Sequence, residues 1–261
     1  MIKNKTSKLL SLILISLNLL GEFSGDPGEI IAVKLNKGEA VSSHLIIEKE
    51  GIRYAIVALP FDKQGESIKF NNRDILINQK NFGESRITIE NTSMVNLSSE
   101  DSLRAYKESQ LIKNALGNYS TEFKSNLNFI KPVQGVISSR YGKKRYINES
   151  PRSPHLALDI AAVTGTEIVA PERGKVILIG DFFYSGKYLI LDHGHGLLSS
   201  YSHLSKINVS LNQFIEQGEK LGEIGSTGRV TGPHLHWSVY LYNTRINPES
   251  IIKENFLETI L

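Results

Sequence analysis

Residues 234–242 read HLHWSVYLY. In an extended strand, side chains alternate between the two faces. His234, His236, Ser238, Tyr240 and Tyr242 would then share one face, and Leu235, Trp237, Val239 and Leu241 the other. The apolar set is suited to a core. The opposite face carries two imidazoles side by side, which add little stability to an exposed strand, so a ligand or catalytic role gains weight. The Gly-rich stretch GSTGRVTGP at 225–233 leads into this strand.

Outward from it, the chain from about 127 to 257 keeps a β pattern. GKVILIG (174–180), KYLILDH (187–193) and LLSSYSHL (197–204) are strand-like runs separated by Gly-rich turns. Upstream, GEIIAVKL (28–35), SHLIIEKE (43–50), RYAIVALP (53–60), RDILIN (73–78) and RITIEN (86–91) are short, rich in Ile and Val, and bounded by Gly, Asp and Asn. They predict a small β-sandwich over 25–97. Between the two parts, 98–117 reads as a linking helix. Ser98 with Asp101 resembles a capping box, and Gly117 stands where a C-terminal Gly cap belongs. The fold class expected is mainly β, with a C-terminal antiparallel domain over 125–257.

The first 24 residues stand apart. Lys3, Lys5 and Lys8 precede an apolar run from Leu9 to Leu20, which is shorter than the roughly 20 residues that span a bilayer. That layout predicts a signal peptide cut after Gly21 or Ser24; left uncut, it would attach the chain to the inner membrane. Either way the expected location is the periplasm or cell envelope. The formal charge of +3 over 261 residues falls to zero once residues 1–21, with three lysines and no acid, are set aside. A neutral body gives no electrostatic reason to expect nucleic acid. With no cysteine, disulfides and thiolate metal sites are excluded, and a metal must be held by His, Asp or Glu.

Six of the seven histidines lie between His155 and His236. Three segments matter: His155 with Asp159, Tyr201-Ser-His203, and His234-Leu-His236. A catalytic zinc takes three protein ligands and keeps one position open. His155, Asp159 and His236 would supply two nitrogens and a carboxylate oxygen, leaving His203 and His234 for proton transfer or oxyanion contact. Counting positions does not by itself separate His234 from His236.

The stretches SSRYG (138–142), PHLALDIAAVTGTEIVAPERGKV (154–176), LDHGHGLLSSYSHLS (191–205), QGEKLGEIGSTGRVTGPHLHWSV (217–239) and INPES (246–250) resemble the lysostaphin-type (LytM-type) zinc peptidases of peptidoglycan. The upstream part resembles the β-rich domain that precedes this peptidase in Gram-negative exported members. The resemblance implies a groove with zinc on its floor, a metalloendopeptidase activity on peptidoglycan cross-links, His155, Asp159 and His236 as metal ligands, and His203 and His234 as the catalytic pair. One position departs from the family, which usually has Gly where this chain has Ala157. If that Gly served a positive φ, Ala would be strained there; if it served close approach, the methyl would narrow the groove.

Tyr201, Arg140, Tyr141 and Thr231 are candidates for substrate contact; strand alternation places Tyr201 on the His203 face. His193 and His195, in DHGHG, fit a turn, the first structural and the second solvent-exposed. His44 has no other histidine close by in sequence to form a ligand set with it. The alternative to a peptidase is a non-catalytic peptidoglycan-binding module or amidase activator, a class marked by missing ligands, whereas here all are present. The N-terminal section carries no chemistry of its own and would cover the groove or hold a protein partner.

Overall fold

The computed structural model describes residues 23–41, 44–90, 93 and 95–261. The expected leader therefore lies outside the described residues apart from its last two. Those two belong to the folded body: β1 (Phe23–Gly25) pairs with β6 (Arg73–Ile77), Ser24 facing Leu76. A cut after Ser24 would remove most of that strand.

The N-terminal part is two facing sheets. β2 (Ile30–Lys34), β3 (Ile46–Lys49) and β4 (Ile52–Ala58) run in the order β2-β4-β3. The second sheet is β1-β6-β5, with β5 at Ser67–Phe70. Val33, Ala55, Val57 and Leu59 meet Phe70, Ile75 and Ile77 between them. The first sheet is apolar on its outer face too, where Ile30, Leu45, Ile47 and Ile56 join the core of the C-terminal part. Burial on both faces explains the unbroken apolar run of 55–59. His44 lies in the same seam, edge-on to Phe70 and tilted against Tyr242.

RITIEN does not join the sandwich. β7 (Glu84–Ile87) pairs in parallel with β9 (Lys143–Ile147), which pairs in turn with β10 (Ser150–His155). Just beyond β7, Ile89 exchanges two hydrogen bonds with the Asn148 side chain. α1 (Ser99–Gly117) has Ser98 as its N-cap, the hydroxyl accepting from Asp101 N at 3.0 Å. Gly117 is the last helical residue, not a left-handed cap; Asn118 closes the end, its side chain donating to the Asn114 carbonyl. Among the described residues no helix is long and apolar enough to cross a membrane.

The C-terminal part is built on a ten-stranded antiparallel sheet. Its strands are β8 (Val136–Ser139), β11 (Leu158–Ala161), β12 (Glu167–Val169), β13 (Gly174–Phe182), β14 (Gly186–Asp192), β15 (Leu197–Ile207), β16 (Phe214–Ile215), β17 (Lys220–Ile224), β18 (His234–Leu241) and β19 (Thr244–Ile246). The main path is β16-β13-β14-β15-β18-β11-β8. Two short helices close the chain, α2 (Pro248–Ile251) and α3 (Phe256–Ile260). β18 lies inside the sheet, and Leu235, Trp237, Val239 and Leu241 are fully buried in the main core. The mainly β class expected from the sequence is the class observed.

Candidate metal centre

Pairing register assembles the site. His236 of β18 stands opposite Asp159 of β11 on one side and Ser202 of β15 on the other. Asp159 in turn faces Ser139 of β8. One rung across four strands therefore sets an imidazole beside a carboxylate, and His155 enters from the end of β10 three residues before β11 begins.

The distances are those of a ligand set. Asp159 Oδ1 lies 2.7 Å from His236 Nδ1 and 3.0 Å from His155 Nε2, and the two nitrogens are 3.3 Å apart. Among the described residues these three are the group able to converge on a metal ion. His155 is buried, Asp159 nearly so and His236 half-buried.

The protonation pattern tests whether they fit a cation. His155 Nδ1 is 3.0 Å from the Arg140 carbonyl oxygen. A carbonyl only accepts, so Nδ1 carries a proton, and the tautomer able to ligate a metal turns a lone pair on Nε2 toward the site. That lone pair meets a carboxylate oxygen and a second imidazole nitrogen, a cluster of acceptors that attracts a proton or a metal cation. The same Nδ1–H to carbonyl bond fixes tautomer and ring orientation in metal-ligating histidines. The donor set of two nitrogens and one oxygen, without sulfur, fits a catalytic divalent ion.

Burial, aided by His155 and Arg145, pushes His236 down to about 4, so the ring is neutral at neutral pH. Burial would raise the Asp159 carboxyl, but the His236 and His155 rings outweigh it and hold it well below the usual carboxylate range. Both groups are thus in the ligating form.

His203 and His234 lie across the cleft with ring centroids 4.9 Å apart, and His203 is 5.9 Å from His236. Each ring donates Nδ1–H to a carbonyl, His203 to Thr227 at 2.8 Å and His234 to Gly232 at 2.9 Å. With Nδ1 so engaged, Nε2 is the nitrogen each ring leaves for the cleft. Burial and the two neighbouring imidazoles push His203 down to about 3. The carbonyl that orients it depends on glycine. Gly186 and Gly228 both have positive φ, and a Cβ on Gly186 would lie 2.2 Å from the Thr227 hydroxyl oxygen. Only glycines let the 227–229 loop and the 184–186 turn touch this closely.

His203 also overturns one expectation. Its φ is +68°, and the β14–β15 register jumps from Leu189–Tyr201 to Lys187–Leu204, setting two residues against one. This bulge turns His203 to the cleft beside Ser202 and breaks the alternation. Tyr201 accordingly faces the core, fully buried and hydrogen-bonded to Ser199, and reaches no substrate. Arg140 is corrected as well. Its side chain pairs with Glu249 on the surface, and its contribution is the carbonyl that orients His155. Tyr141 is buried, its hydroxyl donating to the Arg245 carbonyl and its ring packed on Phe61 and Phe82. Thr231 does line the cleft.

The cleft has a volume of about 370 Å³. Sequence reasoning missed one of its walls: Ser85, Ile87 and Ile89 come from the N-terminal section through the β7–β9 pairing. It also missed Arg145, Arg229 and Arg245. Ala157 has no positive φ, is fully buried and does not line the cleft, so it neither strains the backbone nor narrows the groove. His193 is buried between the Arg173 carbonyl and the Ser199 hydroxyl, as a structural role requires. His195 is half-buried, not fully exposed.

Residues 153–248 match the Peptidase family M23. A crystal structure of a putative peptidase M23 from Pseudomonas aeruginosa is 34% identical, with a TM-score of 0.67, over 87% of this chain and 94% of that one. The chain belongs to peptidase family M23. The peptidoglycan DD-endopeptidase ShyA of Vibrio cholerae is 36% identical over 112 residues, 42% of this chain and 26% of the relative. An uncharacterized metalloprotease of Buchnera aphidicola is 34% identical over 131 residues, 48% of this chain and 35% of the relative. The match thus spans about a quarter to a third of the length of these two curated relatives.

Proposed function

We propose that this chain is a zinc endopeptidase that hydrolyses the peptide cross-links of peptidoglycan. The observation that carries the reading is the convergence of His155, Asp159 and His236 at 2.7–3.3 Å, with two further imidazoles facing them across the cleft. The name of the ShyA relative supports the substrate class.

In this reading His155, Asp159 and His236 hold the ion. When bound, zinc would polarise the scissile carbonyl and acidify an attacking water. The remaining work belongs to side chains. His203 and His234 each turn Nε2 to the cleft, where it could take a proton from that water and return it to the leaving amine. Their Nδ1–H bonds to fixed carbonyls keep both rings aimed through the cycle. Thr231 borders the path of the bound peptide. The N-terminal sandwich and α1 act as a scaffold that delivers β7 to the cleft wall. Residues 1–24 would carry the chain to the periplasm as signal peptide or inner-membrane anchor; nothing in the sequence names a protein partner.

The test is digestion of purified Gram-negative sacculi, with chromatography of the muropeptides. Cross-linked dimers should disappear, survive in the presence of chelator, and disappear again when zinc is restored. Unchanged dimers with zinc bound at one equivalent would overturn the endopeptidase reading in favour of a binding or activating module.

A further inference from the structure

The charge of the cleft does not suit a neutral peptide. Three arginines line it, Arg145, Arg229 and Arg245, against one acid, Asp159, which is already committed to His155 and His236. Two of the three have aromatic company. The Arg229 guanidinium lies 4.1 Å from the centroid of the Tyr184 ring. Arg245 sits 5.6 Å from the centroid of the Tyr240 ring.

Arg145 differs from both. It projects from β9 opposite Ser85 of β7, and its Nε is buried with no hydrogen-bond partner. Burial lowers its proton affinity, Asp159 opposes that shift, and Arg229 and Arg245 add to it. Arginine nonetheless stays charged in a folded protein, and its planar fork presents paired donors spaced for a carboxylate. A buried donor left unmet is costly, and so is a cation beside two like charges. A bound divalent ion would neutralise Asp159 and leave this corner more positive still. One incoming carboxylate would relieve both penalties.

We propose that Arg145 anchors a carboxylate of the substrate beside the metal centre, so that peptides with a free acid near the scissile bond are selected over their carboxamides. The proposal rests on the endopeptidase reading and narrows its substrate class.

Two synthetic cross-linked stem peptides, identical except for acid or carboxamide at that group, test it with the zinc-loaded full-length chain. The wild type should favour the acid by about ten- to hundredfold in kcat/KM, mostly through KM. Arg145→Gln should bring that ratio close to one, and Arg145→Lys should retain part of it. Equal efficiency of the wild type on both peptides overturns the proposal, and so does an Arg145→Gln loss shared equally by both. Calorimetric affinity for the two peptides separates this outcome from failure of the parent reading. A preference for the acid that Arg145→Gln abolishes upholds the anchor even if neither peptide is cut; equal affinities overturn it even if both are.

Discussion

His193 and His195 are separated by one residue, and so are His234 and His236, yet the two pairs have opposite fates. The first pair straddles the turn after β14, with Gly194 and His195 both at positive φ. Its rings do not share a face. His193 is sealed between a carbonyl and a hydroxyl, with no carboxylate on either nitrogen. The second pair lies at the start of a central strand, whose alternation turns both rings to the cleft and whose register sets His236 against Asp159. In the proposed reading, two imidazoles act as ligand and catalyst only where the backbone is extended and a neighbouring strand brings an acid to the same rung.

The largest expected effect strikes at that rung. His236→Ala and Asp159→Ala should each lose zinc and activity together, with rate falling roughly a thousandfold or more. His195→Ala should keep both. Metal analysis beside muropeptide digestion reads the contrast, and a His236→Ala protein with full zinc would refute the ligand assignment.

His203, which faces that second pair across the cleft, sharpens the comparison. His203→Ala should keep one zinc but lower kcat by about a hundredfold to ten-thousandfold, the range for a positioned acid or base. Full rate would show that the ring across the cleft is scaffold. The left-handed φ of His203 makes the backbone part of the same test. His203→Gly relieves the conformation while removing the ring, so it should be no less stable than His203→Ala, and just as slow.

His193 should affect stability, not chemistry. Burial holds it down to about 4, against about 6.5 in an exposed chain. As pH falls below 6.5 the unfolded chain takes up the proton first. The stability due to neutral His193 is therefore complete above 6.5 and lost progressively toward pH 4, by about 3 kcal/mol. Thermal melts across that range should show His193→Gln declining less steeply than the wild type, with zinc content unchanged. Parallel slopes would remove His193 from the acid response.

How much of this could be read in the sequence follows the same division. The two faces of β18 follow from strand alternation and were legible; the grouping of His155, Asp159 and His236 came from the family resemblance, since zinc-donor chemistry alone leaves His234 and His236 interchangeable. What breaks alternation was not legible. The bulge at His203 is one extra residue with no Gly or Pro to announce it, and it turned Tyr201 inward. Arg140 was read by its side chain, whereas its carbonyl does the orienting, and carbonyls carry no sequence signal. Of RITIEN only Arg86 and Ile87 lie in a strand, β7; its partner β9 lies more than fifty residues away, and local pattern does not encode a parallel pairing at that distance.

Ala157 gives the smallest expected effect and the most direct test of reading conformation from sequence. Between His155 and Asp159, where the family usually has Gly, a reader of sequence expects strain or a narrowed groove. The structure gives Ala157 an ordinary φ and buries its methyl away from the cleft. Glycine there would free the unfolded chain and empty a methyl-sized space, so Ala157→Gly should destabilise by about 1–2 kcal/mol. The rate at full zinc should be unchanged. A faster enzyme would mean that the methyl acts on the groove from its buried position, for instance through the segment that joins His155 to Asp159.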